Sequence, residues 1–215
     1  MTTVEQIQRE QRFVLRGVSW PTYEALRDAP ENYHVRMTYD RGDLEIMSPS
    51  KSHERYAYFI GRLIDVWTEE LNIDVQSCRI MTFKREDLDR GLEPDNCYYV
   101  EHEPQMRQKT ELDLAIDPPP DLAIEVEVSA PVIRKMPLYA AFGVPEVWRF
   151  DGETLQVHRL NPAGQYEPRD GSVCLPRFPI AQVLDVLRQV NTASETALVR
   201  SLRDWVRKHL AQPAE

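Results

Sequence analysis

One short segment does most to limit the folds open to this chain. Pro118-Pro119-Pro120 cannot sit inside a helix or a central strand, and it leads through Asp121 into Leu122-Ala123-Ile124-Glu125-Val126-Glu127-Val128. In extended backbone, successive side chains point to opposite faces. Leu122, Ile124, Val126 and Val128 therefore share an apolar face, and Ala123, Glu125, Glu127 and Ser129 share the other. The aliphatic content and the bracketing by proline and serine predict a central strand, covered on both sides. On an exposed strand the two acids would be ordinary solvated residues. On a covered strand they are costly unless paired or bound to metal, and acids held in that way cluster at functional sites.

The rest of the chain supplies neighbours for such a strand. Phe13-Val14-Leu15 predicts a first short strand, and Ser19 ahead of Trp20-Pro21 predicts a helix start. His34 to Thr38 and Leu44 to Met47 predict a hairpin about Asp40-Arg41-Gly42-Asp43. After Ser48-Pro49-Ser50 a long helix is predicted from about Lys51 to Leu71, with Tyr56, Phe59, Ile60, Leu63, Ile64 and Trp67 in one stripe. Asp74 to Cys78, Ile80 to Lys84 and Asn96 to Val100 read as extended. Arg85 to Gly91 reads as a charged loop, and Glu101 to Thr110 as a polar surface excursion. A helix around Arg134 to Phe142 ends at Gly143. Val147 to Phe150 and Leu155 to Leu160 read as a hairpin about Asp151-Gly152. A stretch rich in Gly and Pro follows, then helices over Ile180 to Gln189 and Glu195 to Leu210.

This order predicts an α/β fold in which a central mixed β-sheet is flanked by helices, with an N-terminal hairpin and C-terminal helices. The chain has 215 residues and no internal repeat. One domain over residues 1–215 is expected, with a helical extension over about 192–210. Ala197, Leu198, Leu202, Trp205, Val206 and Leu210 make an apolar stripe there, which either packs on the chain's own body or pairs with a second subunit.

Composition excludes several function classes. No apolar run approaches the roughly 20 residues of a membrane span, and Met1-Thr2-Thr3-Val4-Glu5-Gln6 lacks the pattern of a signal peptide. Cys78, Cys97 and Cys174 have neither zinc spacing nor the even count of a disulfide framework, so a reducing, cytoplasmic location is expected. The net charge of −9 argues against a protein that wraps DNA non-specifically. It leaves room for a carboxylate site with a local basic strip. Lys84, Arg85, Arg90, Arg107 and Lys109 offer cations, but Glu86, Asp87, Asp89 and Glu111 are interleaved with them, which favours solvated pairs.

Asp95, in Glu93-Pro94-Asp95, stands at the mouth of the predicted strand from Asn96. Alone it would read as a turn-capping residue. Beside Glu125 it offers oxygen ligands to Mg²⁺ or Mn²⁺, and such an ion polarises a phosphate and acidifies an attacking water. Glu127 would be a further ligand or a base. Asp121 competes for this role, but it lies four residues from Glu125 along one strand, about 13 Å at about 3.3 Å per residue. It reads as a residue at the strand's start. His53 and Glu54 open the long helix, where Glu54 suits the helix dipole. His34, His102, His158 and His209 show no ligand spacing. Trp148 reads as core. No Gly-rich phosphate loop, Gly-x-Ser-x-Gly elbow or His-Glu-x-x-His motif is present.

Several stretches together resemble the Uma-two family of restriction endonucleases, within the PD-(D/E)XK nuclease superfamily. They are Met47-Ser48-Pro49-Ser50 with His53, Glu93-Pro94-Asp95, Pro120-Asp121-Leu122-Ala123-Ile124-Glu125-Val126, Lys135 with Tyr139, and Gly143-Val144-Pro145-Glu146-Val147-Trp148. They span about residues 12–185. The resemblance implies a restriction-endonuclease-like core and a divalent-metal phosphodiesterase site, with Asp95 as first acid and Glu125 as second. The superfamily pattern has a lysine two residues after the second acid, where this chain has Glu127. The resemblance offers Lys135, on the next predicted helix, as its replacement, and places His53 near the site. It also implies DNA as substrate and a homodimer.

Three readings of function follow. The first is a Mg²⁺-dependent endonuclease with Asp95, Glu125 and Glu127 as metal ligands and Lys135 and His53 in the catalytic group. The second is a catalytically weak or inactive module of the same fold that binds nucleic acid or a protein partner. The third is a metal-dependent hydrolase of another phosphodiester or of a nucleotide.

Overall fold

The chain builds two sheets, and Glu93-Pro94-Asp95 is where it passes from one to the other. The computed structural model describes residues 10–79 and 81–210. Ile80, read above as the start of an extended run, and Met1 to Gln6 lie outside the described residues. In chain order the elements are β1 (Gln11–Leu15), α1 (Trp20–Arg27), β2 (Arg36–Asp40), β3 (Asp43–Ser48), α2 (Lys51–Leu71), β4 (Gln76–Ser77), β5 (Phe83–Arg85), β6 (Arg90–Leu92) and β7 (Asn96–Tyr99). There follow α3 (Glu103–Met106), β8 (Leu122–Val126), α4 (Met136–Phe142), β9 (Glu146–Phe150), β10 (Leu155–Leu160), β11 (Tyr166–Arg169), α5 (Ile180–Leu187) and α6 (Glu195–Leu210).

The first sheet has five antiparallel strands in the order β1-β3-β2-β6-β5. The expected hairpin is its centre, enlarged by three further strands. The Arg85 to Gly91 segment differs from the expected loop. A single 3₁₀ turn over Glu86–Leu88 ends at Asp89 in the left-handed region (φ 51°), and the chain returns as β6 beside β5. Gly91 lies under the ring of Tyr23, where an added Cβ would stand 2.1 Å from the phenol oxygen. Only glycine admits that approach.

The second sheet has the order β11-β10-β9-β8-β7-β4 and is mixed because β8 and β9 run parallel. A parallel pair needs a crossover, and α4 supplies it. The strand β8 is buried throughout, as its composition predicts. Its even-numbered face meets α2: Leu122, Ile124 and Val126 pack with Phe59, Ile60, Leu63, Ile64 and Trp67. Each such fully buried side chain contributes about 1.5–3 kcal/mol. On the opposite face Ala123 packs with Leu138, Tyr139 and Phe142 of α4. Glu125 is thus delivered to the α4 side.

The helix α2 has the predicted bounds because both ends are capped. The Ser50 hydroxyl accepts from the His53 amide, and Asn72 turns left-handed (φ 52°) after Leu71. Its register leaves His53 in the buried first turn. The apolar stripe of α6 is used within the chain: Leu198, Val199, Leu202 and Val206 join the core that α2 organises. No helix of the described residues is long and apolar enough to cross a membrane.

Candidate active site

Glu93 and Asp95 fasten the junction between the sheets in opposite directions. Glu93 reaches into the first sheet, where its carboxylate pairs with Arg27 at 2.8 Å and accepts from the Met37 amide at 2.9 Å. Asp95 faces the second. Its amide donates to the Ile124 carbonyl at 3.2 Å, and its Oδ2 accepts from the Val126 amide at 2.8 Å. Asn96 pairs with Ile124, so one step further Asp95 stands opposite Glu125. The two predicted acids are brought together, and both are buried, Asp95 5% and Glu125 1% exposed.

Each acid has its own cation. Lys135, 6% exposed, immediately precedes α4. Its Nζ donates to Glu125 Oε2 at 2.7 Å. The Tyr139 hydroxyl, one turn further on, donates to Glu125 Oε1. Burial pushes the Glu125 carboxyl up to about 7, only partly offset by Lys135. Burial alone would lower the Lys135 pKa, but the Glu125 and Asp95 carboxylates raise it above the ordinary value. The lysine therefore stays charged beside a carboxyl whose burial favours its neutral form.

His53, 1% exposed, bridges Asp95 to the N-terminal segment. Its Nε2 lies 2.8 Å from Asp95 Oδ1 and its Nδ1 2.7 Å from Glu10 Oε1. Burial disfavours the charged ring, yet Asp95 and Glu10 overcome this and hold the pKa up at about 9. Both nitrogens then carry protons and donate. Asp95 is correspondingly held down at about 2, its burial outweighed first by the His53 charge. Glu10 is fixed in turn by Ser129 and by Arg12, at 2.8 Å from the guanidinium.

The loop that carries Lys135 is tied to the first sheet. Glu45 Oε2 accepts from the Val132 and Ile133 amides at 2.9 and 2.7 Å, and Arg12 Nε donates to the Ser129 hydroxyl at 3.2 Å. The five-stranded sheet thus serves as the bed on which the lysine loop lies.

Glu127, expected as a further ligand or base, pairs with Arg149, through Nη2 and through Nε at 3.1 Å. The cause is the parallel register, which sets Glu125 against Arg149 across β8 and β9 and leaves Glu127 diagonal to it on the same face. Among the described residues, no three His, Cys, Asp or Glu side chains form a group able to hold a metal ion. Asp121 has a separate role at the start of β8, accepting from the amides of Val100 and His102 and from the His102 ring. The basic residues around Asp95 form no free strip: Lys84, Arg85, Arg90, Arg107 and Lys109 are all paired with acids.

Three contributors escaped sequence reasoning. Glu10 precedes the first strand with no pattern around it. Tyr139 was visible only as part of a motif, without a role. Arg149 had a signal, a lone cation inside the apolar Val147-Trp148-Arg149-Phe150, but its partner depends on register.

An acid at the junction before one strand, an acid inside its neighbour and a lysine against the second acid, carried on a mixed sheet between helices, define a fold of the restriction-endonuclease-like class. Residues 20–193 match the Uma2 family, whose description is "Putative restriction endonuclease", and the chain belongs to that family. No curated protein matches the chain.

Proposed function

We propose that this protein hydrolyses phosphodiester bonds of DNA at the site formed by Asp95, Glu125 and Lys135. The observation that carries the proposal is the Lys135–Glu125 contact of 2.7 Å. It supplies, from the crossover helix, the cation that the strand lacks at Glu127. A buried lysine kept charged beside a carboxylate is suited to a phosphate and to the charge that builds on it in the transition state.

The two carboxylates fit a hard divalent ion in kind, since Mg²⁺ accepts one or two carboxylates and keeps several waters. Asp95 and Glu125 would hold it, and Mg²⁺ or Mn²⁺ would there polarise the phosphate and acidify a water. The chain's own residues do the rest. The His53 imidazolium fixes Asp95, and the Tyr139 hydroxyl fixes Glu125. Lys135 holds its proton at Nζ and faces Glu125 as a permanent positive charge.

One observation favours the non-catalytic reading. His53 and Lys135 already balance the charges of Asp95 and Glu125, and all four carboxylate oxygens have a donor. A module that binds nucleic acid without cutting it is compatible with that closed arrangement. Cleavage of plasmid and oligonucleotide DNA with Mg²⁺, Mn²⁺ or EDTA decides between them. Cleavage that needs the ion and vanishes in Asp95→Asn and Lys135→Met is expected. Equal activity in these variants and the parent sinks the assignment.

The wider proposal is one domain over residues 1–215, with a core over about 12–185, in the reducing cytoplasm. The free thiols of Cys78, Cys97 and Cys174 support that location. A homodimer would need a face other than the α6 stripe.

A further inference from the structure

Lys135 lies at the inner end of an open trough. Two hollows of about 530 and 420 Å³ adjoin there, sharing Met136, Pro137 and Arg149 in their walls. The first carries Arg134, Lys135 and Glu127, and the second continues past Arg149 to His158 and Gln165. Three cations and one carboxylate line this path, in a chain whose net charge is −9.

The cations of the trough are held to different degrees, Lys135 by the buried Glu125 and Arg149 by Glu127. Arg134 is exposed and forms no ion pair among the described residues. Arg149 has a single acid partner, Glu127, and its side chain is 36% exposed against 10% for the glutamate. The guanidinium therefore already faces the open trough while the carboxylate holds it from below. Beyond it, His158 Nδ1 is buried with no hydrogen-bond partner among the described residues. A planar guanidinium accepts a phosphate in place of a carboxylate because both present two oxygens to its paired N–H groups.

We propose that the trough from Lys135 past Arg134 and Arg149 to His158 is a track for a nucleic-acid backbone, in which Glu127 holds Arg149 until a phosphate replaces it. The proposal rests on the nuclease-fold reading of the site and adds the path of the strand leading away from it. Glu127 thereby takes a different part from a metal ligand. It is a resident carboxylate in the place of an incoming phosphate.

Binding of labelled single-stranded and duplex oligonucleotides, followed by fluorescence anisotropy in EDTA over a range of salt, tests this without any cleavage. Arg134→Ala and Arg149→Ala are each expected to weaken binding roughly five- to tenfold and to reduce the salt slope by about 1. Glu127→Gln is expected to tighten binding severalfold, a gain that misfolding cannot imitate. Arg107→Ala, whose guanidinium pairs with Glu103, serves as control and should bind as the parent does. Unchanged affinity in Arg149→Ala or in Glu127→Gln overturns the proposal, as does a parent protein that binds neither oligonucleotide. If binding shifts as expected but no DNA is cut with Mg²⁺, the track stands and the hydrolase reading falls.

Discussion

The Lys135–Glu125 pair gives the sharpest test of whether this site is organised for chemistry or for stability. The two side chains are 7% and 1% exposed, so neither charge can be left alone cheaply. Lys135→Met alone leaves a buried carboxylate without its cation, and Glu125→Gln alone leaves a buried ammonium. Each should cost about 3–5 kcal/mol. The double variant removes both charges and keeps the shape. The amide oxygen that Glu125→Gln introduces still accepts from Tyr139, and what Lys135 loses besides is a 3.5 Å contact with the Glu93 carbonyl. Replacing a buried pair in this way is often neutral or stabilising by about 1–4 kcal/mol. For a chain of this size, 1 kcal/mol moves Tm by about 2–4 °C. Thermal melts followed by circular dichroism should therefore place each single variant about 6–20 °C below the parent and the double variant level with it or above. All three should lack cleavage activity. The Lys135→Met loss should be milder at pH 5 than at pH 8, because its lone Glu125 escapes by taking up a proton. A double variant as unstable as the two singles added together would refute the reasoning, since independent sites add and coupled ones do not.

Two further outcomes follow from other contacts. His53 is held at a pKa of about 9 against 6.5 for a free ring, so its contribution is complete below 6.5 and is lost as pH climbs through 9. The gap corresponds to roughly 3 kcal/mol. Urea titrations between pH 6 and 10 should show the decline, and a His53→Gln variant with the same decline would refute the assignment. Gly91→Ala drives a methyl to 2.1 Å from the Tyr23 hydroxyl and 2.5 Å from its ring. A loss of about 1–3 kcal/mol is expected from such overpacking, largely recovered when Tyr23 is also reduced to Leu. An unchanged midpoint in Gly91→Ala would show that this packing is not tight.

What could be seen in the sequence was what local pattern controls. The stripe of α2 and the Ser50 cap fix that helix to its observed ends, and the uninterrupted aliphatics of β8 announce a covered strand. The pairing of Asp95 with Glu125 was also within reach, because it needs only that two strands be neighbours. What escaped needed tertiary register. The strand β6 is Arg90-Gly91-Leu92, three residues with no alternation to read, and it is a strand because β2 and β5 flank it. Without it, nothing in the sequence joined the expected hairpin to the extended run that became β5. The partner of Glu127 was hidden for a related reason. Alternation correctly gave it the same face as Glu125, but the partner waiting on that face, Arg149, is set by the parallel offset of β8 and β9. Glu10 could be found only by following His53 outward in space.

Lys135 comes to the acids on a separate element, the loop and helix between β8 and β9, and not on their own strand. Leu138, Tyr139 and Phe142 anchor that helix in the core over β8, so the lysine is held by packing as well as by charge. A Leu138→Ala substitution, which costs about 2–5 kcal/mol in a core, should then disturb the site at a distance without touching any of its charged groups.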